Sequence, residues 1–129
     1  MILFDTSVLI DYDDLDLPDE PYVSSVVVLA ELEFGIAAAK TADLYNERRT
    51  RLARLRASGF QWHPYLESTA TYHAELMSLV HPHAPSHTRS RDLMIAATAF
   101  ELGAKLATLN PGDFRYVASR VEILVPTPR

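Results

Sequence analysis

The chain has 129 residues, 48% of them hydrophobic, no cysteine and a formal net charge of −5. That length suits one domain, residues 1–129, with a core of ordinary size, and the missing cysteine excludes disulfides and thiolate zinc sites. No apolar run approaches the roughly 20 residues of a membrane span. The opening MILFDTSVLI has no basic region and is bracketed by Asp5 and Asp11, so it makes a poor signal peptide; a cytoplasmic protein with no membrane association is expected.

In chain order, residues 2–5 read as a short buried strand ending at Thr6-Ser7, with Ser7 placed to cap a short helix through Ile10. Residues 11–21, acidic and holding two prolines, read as loop. Tyr22-Val23 suggests a second strand, after which Ser24 or Ser25 caps a helix to about Lys40. Val26-Val27-Val28 leans towards strand by propensity, whereas Ala37-Ala38-Ala39 favours helix. Residues 42–56 read as an amphipathic, arginine-rich helix, closed by Ser58-Gly59. Residues 60–66 form a third strand candidate, which Pro64 directs to an edge. Residues 68–80 look helical, 81–90 read as loop, and Ser90 is placed to cap a helix through Leu102 with Gly103 as its stop. Strands follow over 105–109 and 121–125, with 126–129 as a tail. Strands alternating with helices predict a parallel α/β sheet.

Such a sheet gathers strand C-termini and the N-termini of antiparallel helices along one edge, where ligands bind. Asp5, Glu31, Asp92 and Asp113 all fall at that edge. Carboxylates that close repel one another unless protonated or bridged by cations. An oxygen-rich, cysteine-free set suits Mg²⁺ or Mn²⁺, which points to metal-assisted phosphodiester chemistry. Each acid also has an ordinary reading. Asp5 and Asp113 stand where turn residues stand, and Asp92 lies in a helix's first turn, where the dipole favours acids. Glu31 sits among Val27, Val28, Phe34 and Gly35, but Glu33 has a comparable apolar surround, and periodicity does not choose between them. Ser7 and Asn110 are candidates to orient a carboxylate or water, beside their capping and turn roles.

These residues carry a family resemblance. Asp5-Thr6-Ser7-Val8-Leu9-Ile10, Glu31-Leu32-Glu33-Phe34-Gly35, Arg91-Asp92-Leu93-Met94-Ile95-Ala96-Ala97-Thr98-Ala99 and Thr108-Leu109-Asn110-Pro111-Gly112-Asp113-Phe114 resemble, in order and spacing, the four motifs of the PIN-domain family. Within that family the chain is similar to the VapC-type toxins of bacterial toxin–antitoxin pairs. The E-L-x-x-G pattern selects Glu31 over Glu33. The resemblance implies a three-layer α/β/α fold with a five-stranded parallel sheet in the order 3-2-1-4-5. It also implies an Mg²⁺- or Mn²⁺-dependent endoribonuclease that inhibits translation and growth, with Asp5, Glu31, Asp92 and Asp113 as catalytic, metal-binding residues. A VapB-type antitoxin and a homodimer are the implied partners.

Other features are less directed. His81, His83 and His87 share one loop with two prolines, where the four-residue spacing of His83 and His87 is not carried on a helix, so a solvated loop is expected in preference to a zinc site. Arg89 and Arg91 flank Asp92 and are placed to meet RNA phosphates. Arg48, Arg49, Arg51, Arg54 and Arg56 read as a solvated face with local acid partners such as Glu47. The face of Leu44, Tyr45, Leu52 and Leu55 is expected to pair two copies across residues 26–56. Two rival functions are weaker. A haloacid-dehalogenase-like phosphohydrolase would have a second aspartate at position 7, where Ser7 stands, and a late acid where Val117 stands. A receiver-like signalling module needs an aspartate after the third strand, and none occurs between Asp43 and Asp92. A purely non-catalytic interaction module leaves the complete acid set without a purpose.

Overall fold

The computed structural model describes residues 1–84 and 89–129. The chain runs through β1 (Ile2–Phe4), α1 (Thr6–Ile10), a 3₁₀ turn (Tyr12–Asp14), β2 (Leu15–Asp16), β3 (Tyr22–Ser25), α2 (Val26–Ala37), α3 (Ala42–Ala57) and β4 (Trp62–His63). It continues through α4 (Glu67–Val80), α5 (Ser90–Leu102), β5 (Lys105–Ala107), a second 3₁₀ segment (Pro111–Val117), β6 (Ile123–Leu124) and β7 (Thr127–Pro128). Five strands form a parallel sheet in the order β4-β3-β1-β5-β6, flanked by helices. Numbered within the sheet alone this is 3-2-1-4-5, the order that the family resemblance implied.

β1 is the central strand, and Ile2, Leu3 and Phe4 are fully buried, which is why it reads as an unbroken apolar run rather than an alternating one. α2 begins at Ser25, whose Oγ accepts the Val28 amide at 3.2 Å. That cap and the burial of Val28 and Leu32 override the strand propensity of the three valines. Ser24 is turned inwards and donates to the Phe4 carbonyl at 2.6 Å. α5 buries Leu93, Ile95, Ala96, Ala97 and Ala99, and ends at Gly103, whose φ of 63° is the left-handed value glycine adopts without cost. α4 and α5 pack against each other and against the second 3₁₀ segment. No helix among the described residues is long and apolar enough to cross a membrane.

Several expectations change. The strand read over 60–66 shortens to Trp62–His63, consistent with Pro64 and an edge position. The segment read as loop over 11–21 contains a 3₁₀ turn and β2, and the expected tail supplies β7, which pairs antiparallel with β2. Sequence patterning does not reveal a two-residue pairing between segments more than a hundred positions apart. Asp5, not Ser7, caps α1, and Arg89, not Ser90, occupies the N-cap position of α5. Leu52 and Leu55 are both only 5% exposed. They belong to the chain's own core, so they do not form the expected pairing face. The amphipathic stripe of α3 packs inwards, leaving Leu44 and Tyr45 exposed.

Candidate active site

The acidic edge starts at the end of β1. Asp5 is buried, and its Oδ1 accepts the Val8 amide at 3.2 Å and the Ser7 hydroxyl at 2.6 Å. Ser7 Oγ in turn accepts the Leu109 amide at 3.0 Å. One serine thus ties the first motif to the fourth and fixes the rotamer of Asp5. The Ser7 hydroxyl, read from the sequence also as a cap, here bonds the Asp5 carboxylate. Asn110 contributes differently: its carbonyl accepts the Asp113 amide at 3.0 Å, and among the described residues its side chain makes no hydrogen bond to the acids.

α2 brings Glu31 to the same edge. Its Oε1 accepts the Thr6 hydroxyl at 2.7 Å, and its Oε2 lies 3.9 Å from Arg91 Nη1. Glu33 leaves α2 on another side and pairs with Arg56 at 3.1 Å, about half exposed. The two glutamates that periodicity left alike thus face different neighbours, Glu31 towards α1 and Glu33 towards α3. Thr6 was not anticipated; its partner is 25 positions away, and nothing in a strand-to-helix turn signals that.

Asp92 lies in the first turn of α5, and Asp113 lies in the second 3₁₀ segment. Arg89 joins them. Its Nη1 is 2.8 Å from Asp113 Oδ1 and 3.7 Å from Asp92 Oδ2. Arg89 has φ 55°, the positive value found at no other non-glycine position among the described residues, so the backbone carries a small strain there. Burial pushes the Asp92 carboxyl above the usual aspartate range. The charges of Asp113, Glu31 and Asp5 push the same way, and Arg89 opposes them. That set of influences places all four acids in one electrostatic neighbourhood.

Among the described residues, no three acidic or histidine side chains already close around one point at metal-ligand distance. Asp5 is turned to its cap, Glu31 to Thr6, and Asp113 to Arg89, so each acid is held by a protein donor. The donor set nonetheless fits a hard divalent cation: four carboxylates, all oxygen, repelling one another at a half-buried edge. Arg91 is exposed beside Glu31. His81 ends α4, His83 stacks on Tyr116, and His87 lies outside the described residues. Of the α3 arginines, Arg54 pairs with Asp13 and Arg56 with Glu33, partners from other elements rather than the local Glu47, and Arg48 donates to the Gly35 carbonyl.

The fold and the motifs agree with known proteins. The profile of the PIN domain matches residues 2–119. The structure is similar to that of a VapBC-5 toxin–antitoxin protein from Mycobacterium tuberculosis, with 28% identity, TM-score 0.79, and 95% of this chain and 94% of that one covered. It is similar to FitAcB from Neisseria gonorrhoeae, with 25% identity, TM-score 0.74 and 96% of each chain covered. VapBC2 from Rickettsia felis shares the fold at 19% identity and TM-score 0.76, over 98% of this chain and all of that one (100%). No curated protein matches the chain. With the 3-2-1-4-5 sheet, four acids at its edge and a profile match along nearly its whole length, the chain belongs to the PIN-domain family, and its likeness is to the VapC-type members.

Proposed function

We propose that this protein is a divalent-metal-dependent endoribonuclease, the toxin of a type II toxin–antitoxin pair, which hydrolyses RNA phosphodiester bonds and so inhibits translation and growth. The observation that carries the proposal is the gathering of four carboxylates at one edge: Asp5 at the end of β1, Glu31 bonded to Thr6 beside it, and Asp92 and Asp113 joined by Arg89. A fold that only needed stability would not keep four like charges there. A bound Mg²⁺ or Mn²⁺ supplies positive charge to the phosphate oxygens and makes a nearby water more acidic.

The chain's own residues do the rest. Asp5, Glu31, Asp92 and Asp113 hold the ion. Ser7 orients Asp5, and Thr6 orients Glu31, as supporting hydrogen bonds do around metal ligands. Asn110 places Asp113 through its backbone. Arg91, exposed at the rim, meets a phosphate, and Arg89 joins it when it leaves Asp113.

The named likenesses are toxin–antitoxin complexes, and a VapB-type antitoxin is the partner inferred for this chain. An arginine of that partner entering the acidic edge would pair with the carboxylates as Arg89 does. A cleft of about 760 Å³ beside α1 and α3, with Ile10, Tyr12, Glu47 and Arg51 on its walls, offers such a partner mixed apolar and charged surface. A homodimer uses the apolar surface that α2 and α3 leave exposed, Phe34, Leu44 and Tyr45.

The test is RNA cleavage by purified, antitoxin-free protein, with Asp5→Asn prepared in parallel to exclude contaminating nuclease. EDTA abolishes cleavage and Mg²⁺ or Mn²⁺ restores it. Full activity without divalent metal, absent from the Asp5→Asn sample, would refute the reading. Mapping the cut sites on total cellular RNA then identifies the target.

A further inference from the structure

The aromatic rings of this protein fall into separate groups. Phe4, Tyr12, Tyr22, Phe60 and Trp62 pack together about the β1–β3–β4 side of the sheet. Tyr116 stands apart from them, three residues beyond Asp113 in the same 3₁₀ segment. Its ring lies parallel to His83, with an interplanar angle of 1° and centroids 4.4 Å apart. The Arg115 guanidinium lies 4.5 Å from the centre of the same ring. Arg115 is pinned there, donating to the Gly112 carbonyl at 2.8 Å and to the Tyr116 hydroxyl at 3.2 Å. Tyr116 is half-buried, while His83 and Arg115 are exposed.

Two further observations connect this stack to a ligand. Arg115 and Tyr116 share the walls of a small cavity with Arg89 and Asp113, so the Tyr116 side of the stack and the Asp113 end of the acidic edge open onto the same space. Arg115, like Arg48, Arg49, Arg51 and Arg129, has no carboxylate within ion-pair distance among the described residues, but of these it is the one held over an aromatic ring. A planar cation held over a ring beside the acidic edge is what single-stranded nucleic acid meets in proteins that stack its bases.

We infer that Arg115, Tyr116 and His83 form a stacking seat for a nucleobase of the RNA strand next to the phosphate held at Asp113. This rests on the nuclease reading and adds where the strand lies: it passes from the acidic edge over the second 3₁₀ segment to His83. Every base has a π face, so the seat contributes affinity and register, and its edge contacts bias which base sits there.

The experiment uses the full chain with Mn²⁺ and short, cleavage-resistant 2′-O-methyl homo-oligonucleotides of A, C, G and U, with binding followed by fluorescence anisotropy. His83→Ala and Tyr116→Ala are expected to weaken the best-bound oligonucleotide by about five- to 150-fold, the ~1–3 kcal/mol typical of one base on an aromatic group. Tyr116→Phe keeps the ring and retains most of the affinity. Mn²⁺ affinity, measured by calorimetry, stays at the wild-type value in all three. Because Tyr116 is half-buried, the exposed His83 supplies the variant whose fold is not in question. Wild-type affinity in His83→Ala and in folded Tyr116→Ala would overturn the stacking seat and leave the nuclease reading intact. Failure of the wild type to bind Mn²⁺ or any oligonucleotide would overturn both. Loss of antitoxin capture with unchanged oligonucleotide affinity would make the stack a protein-docking face and refute the inference.

Discussion

Arg89 and Asp113 form an ion pair of 2.8 Å at the centre of the acidic edge, made by an arginine whose backbone sits at φ 55°. This guanidinium is the cation that Asp113 and Asp92 share. A divalent ion recruiting Asp113 and Asp92 must displace it. Arg89→Gln is therefore expected to bind Mn²⁺ more tightly, by up to about fivefold, since an exposed pair is worth ~0.2–1 kcal/mol. Calorimetry with the two proteins side by side decides the matter; equal or weaker binding by the variant would show that Arg89 does not compete.

Asp5→Asn separates charge from folding. Asparagine keeps the carbonyl that accepts the Val8 amide and the Ser7 hydroxyl, so α1 remains capped and thermal stability changes little. The lost charge is expected to remove more activity than the ~10- to 100-fold that follows loss of a supporting contact. Circular dichroism and RNA cleavage on one preparation check both halves.

The two glutamates of α2 should behave differently. Glu33→Gln loses a half-exposed pair with Arg56, at a cost of at most about 1 kcal/mol in stability, and cleaves RNA normally. Glu31→Gln leaves the fold intact and loses cleavage. Matching cleavage by both variants would reassign the second acid.

Asp92 sets a pH dependence in the metal-free protein. Its folded pKa is raised, by burial first and by Asp113, Glu31 and Asp5 next, so the folded state holds this proton to higher pH than the unfolded chain, where aspartate titrates near ~3.9. Folding is then penalised at pH above the raised value. The penalty is relieved as pH falls through that value and is gone below the unfolded one. In EDTA, Asp92→Asn should melt higher than wild type at neutral pH, and the gap should close on acidification. Saturating Mn²⁺ should stabilise wild type more than the variant. A lower melting temperature for Asp92→Asn in EDTA would contradict this.

Pairing through Phe34, Leu44 and Tyr45 gives light scattering at twice the 14.5 kDa chain mass. Tyr45→Asp should shift it towards one. Leu52 is no test of pairing, because a charge there disrupts the monomer's own core.

Much of this was legible in the chain. β1, α5 and the acids at their ends are signalled by continuous apolar runs and by motif spacing, because the same residues that bury a central strand or helix also carry the site on their last or first turn. What stayed hidden depends on contacts between distant segments. The Thr6–Glu31 and Arg89–Asp113 bonds and the β2–β7 pair have no local period. The inward packing of Leu52 and Leu55 was misread because an amphipathic stripe looks alike whether it faces its own sheet or a second copy. Arg89 at a helix cap runs against every capping preference, and no rule of residue type would have placed it there.

Ser7 touches Asp5 and Leu109, positions 102 apart from serine to leucine, while β5 must dock beside β1 before that bond can form. A nascent chain that has emerged only as far as α5 therefore carries three of the acids but lacks both the fourth and the brace that orients the first. Assembly of the acidic edge is in effect timed by synthesis: it waits for the last quarter of the polypeptide, and a message cut short before Asp113 yields a product with an incomplete set of acids.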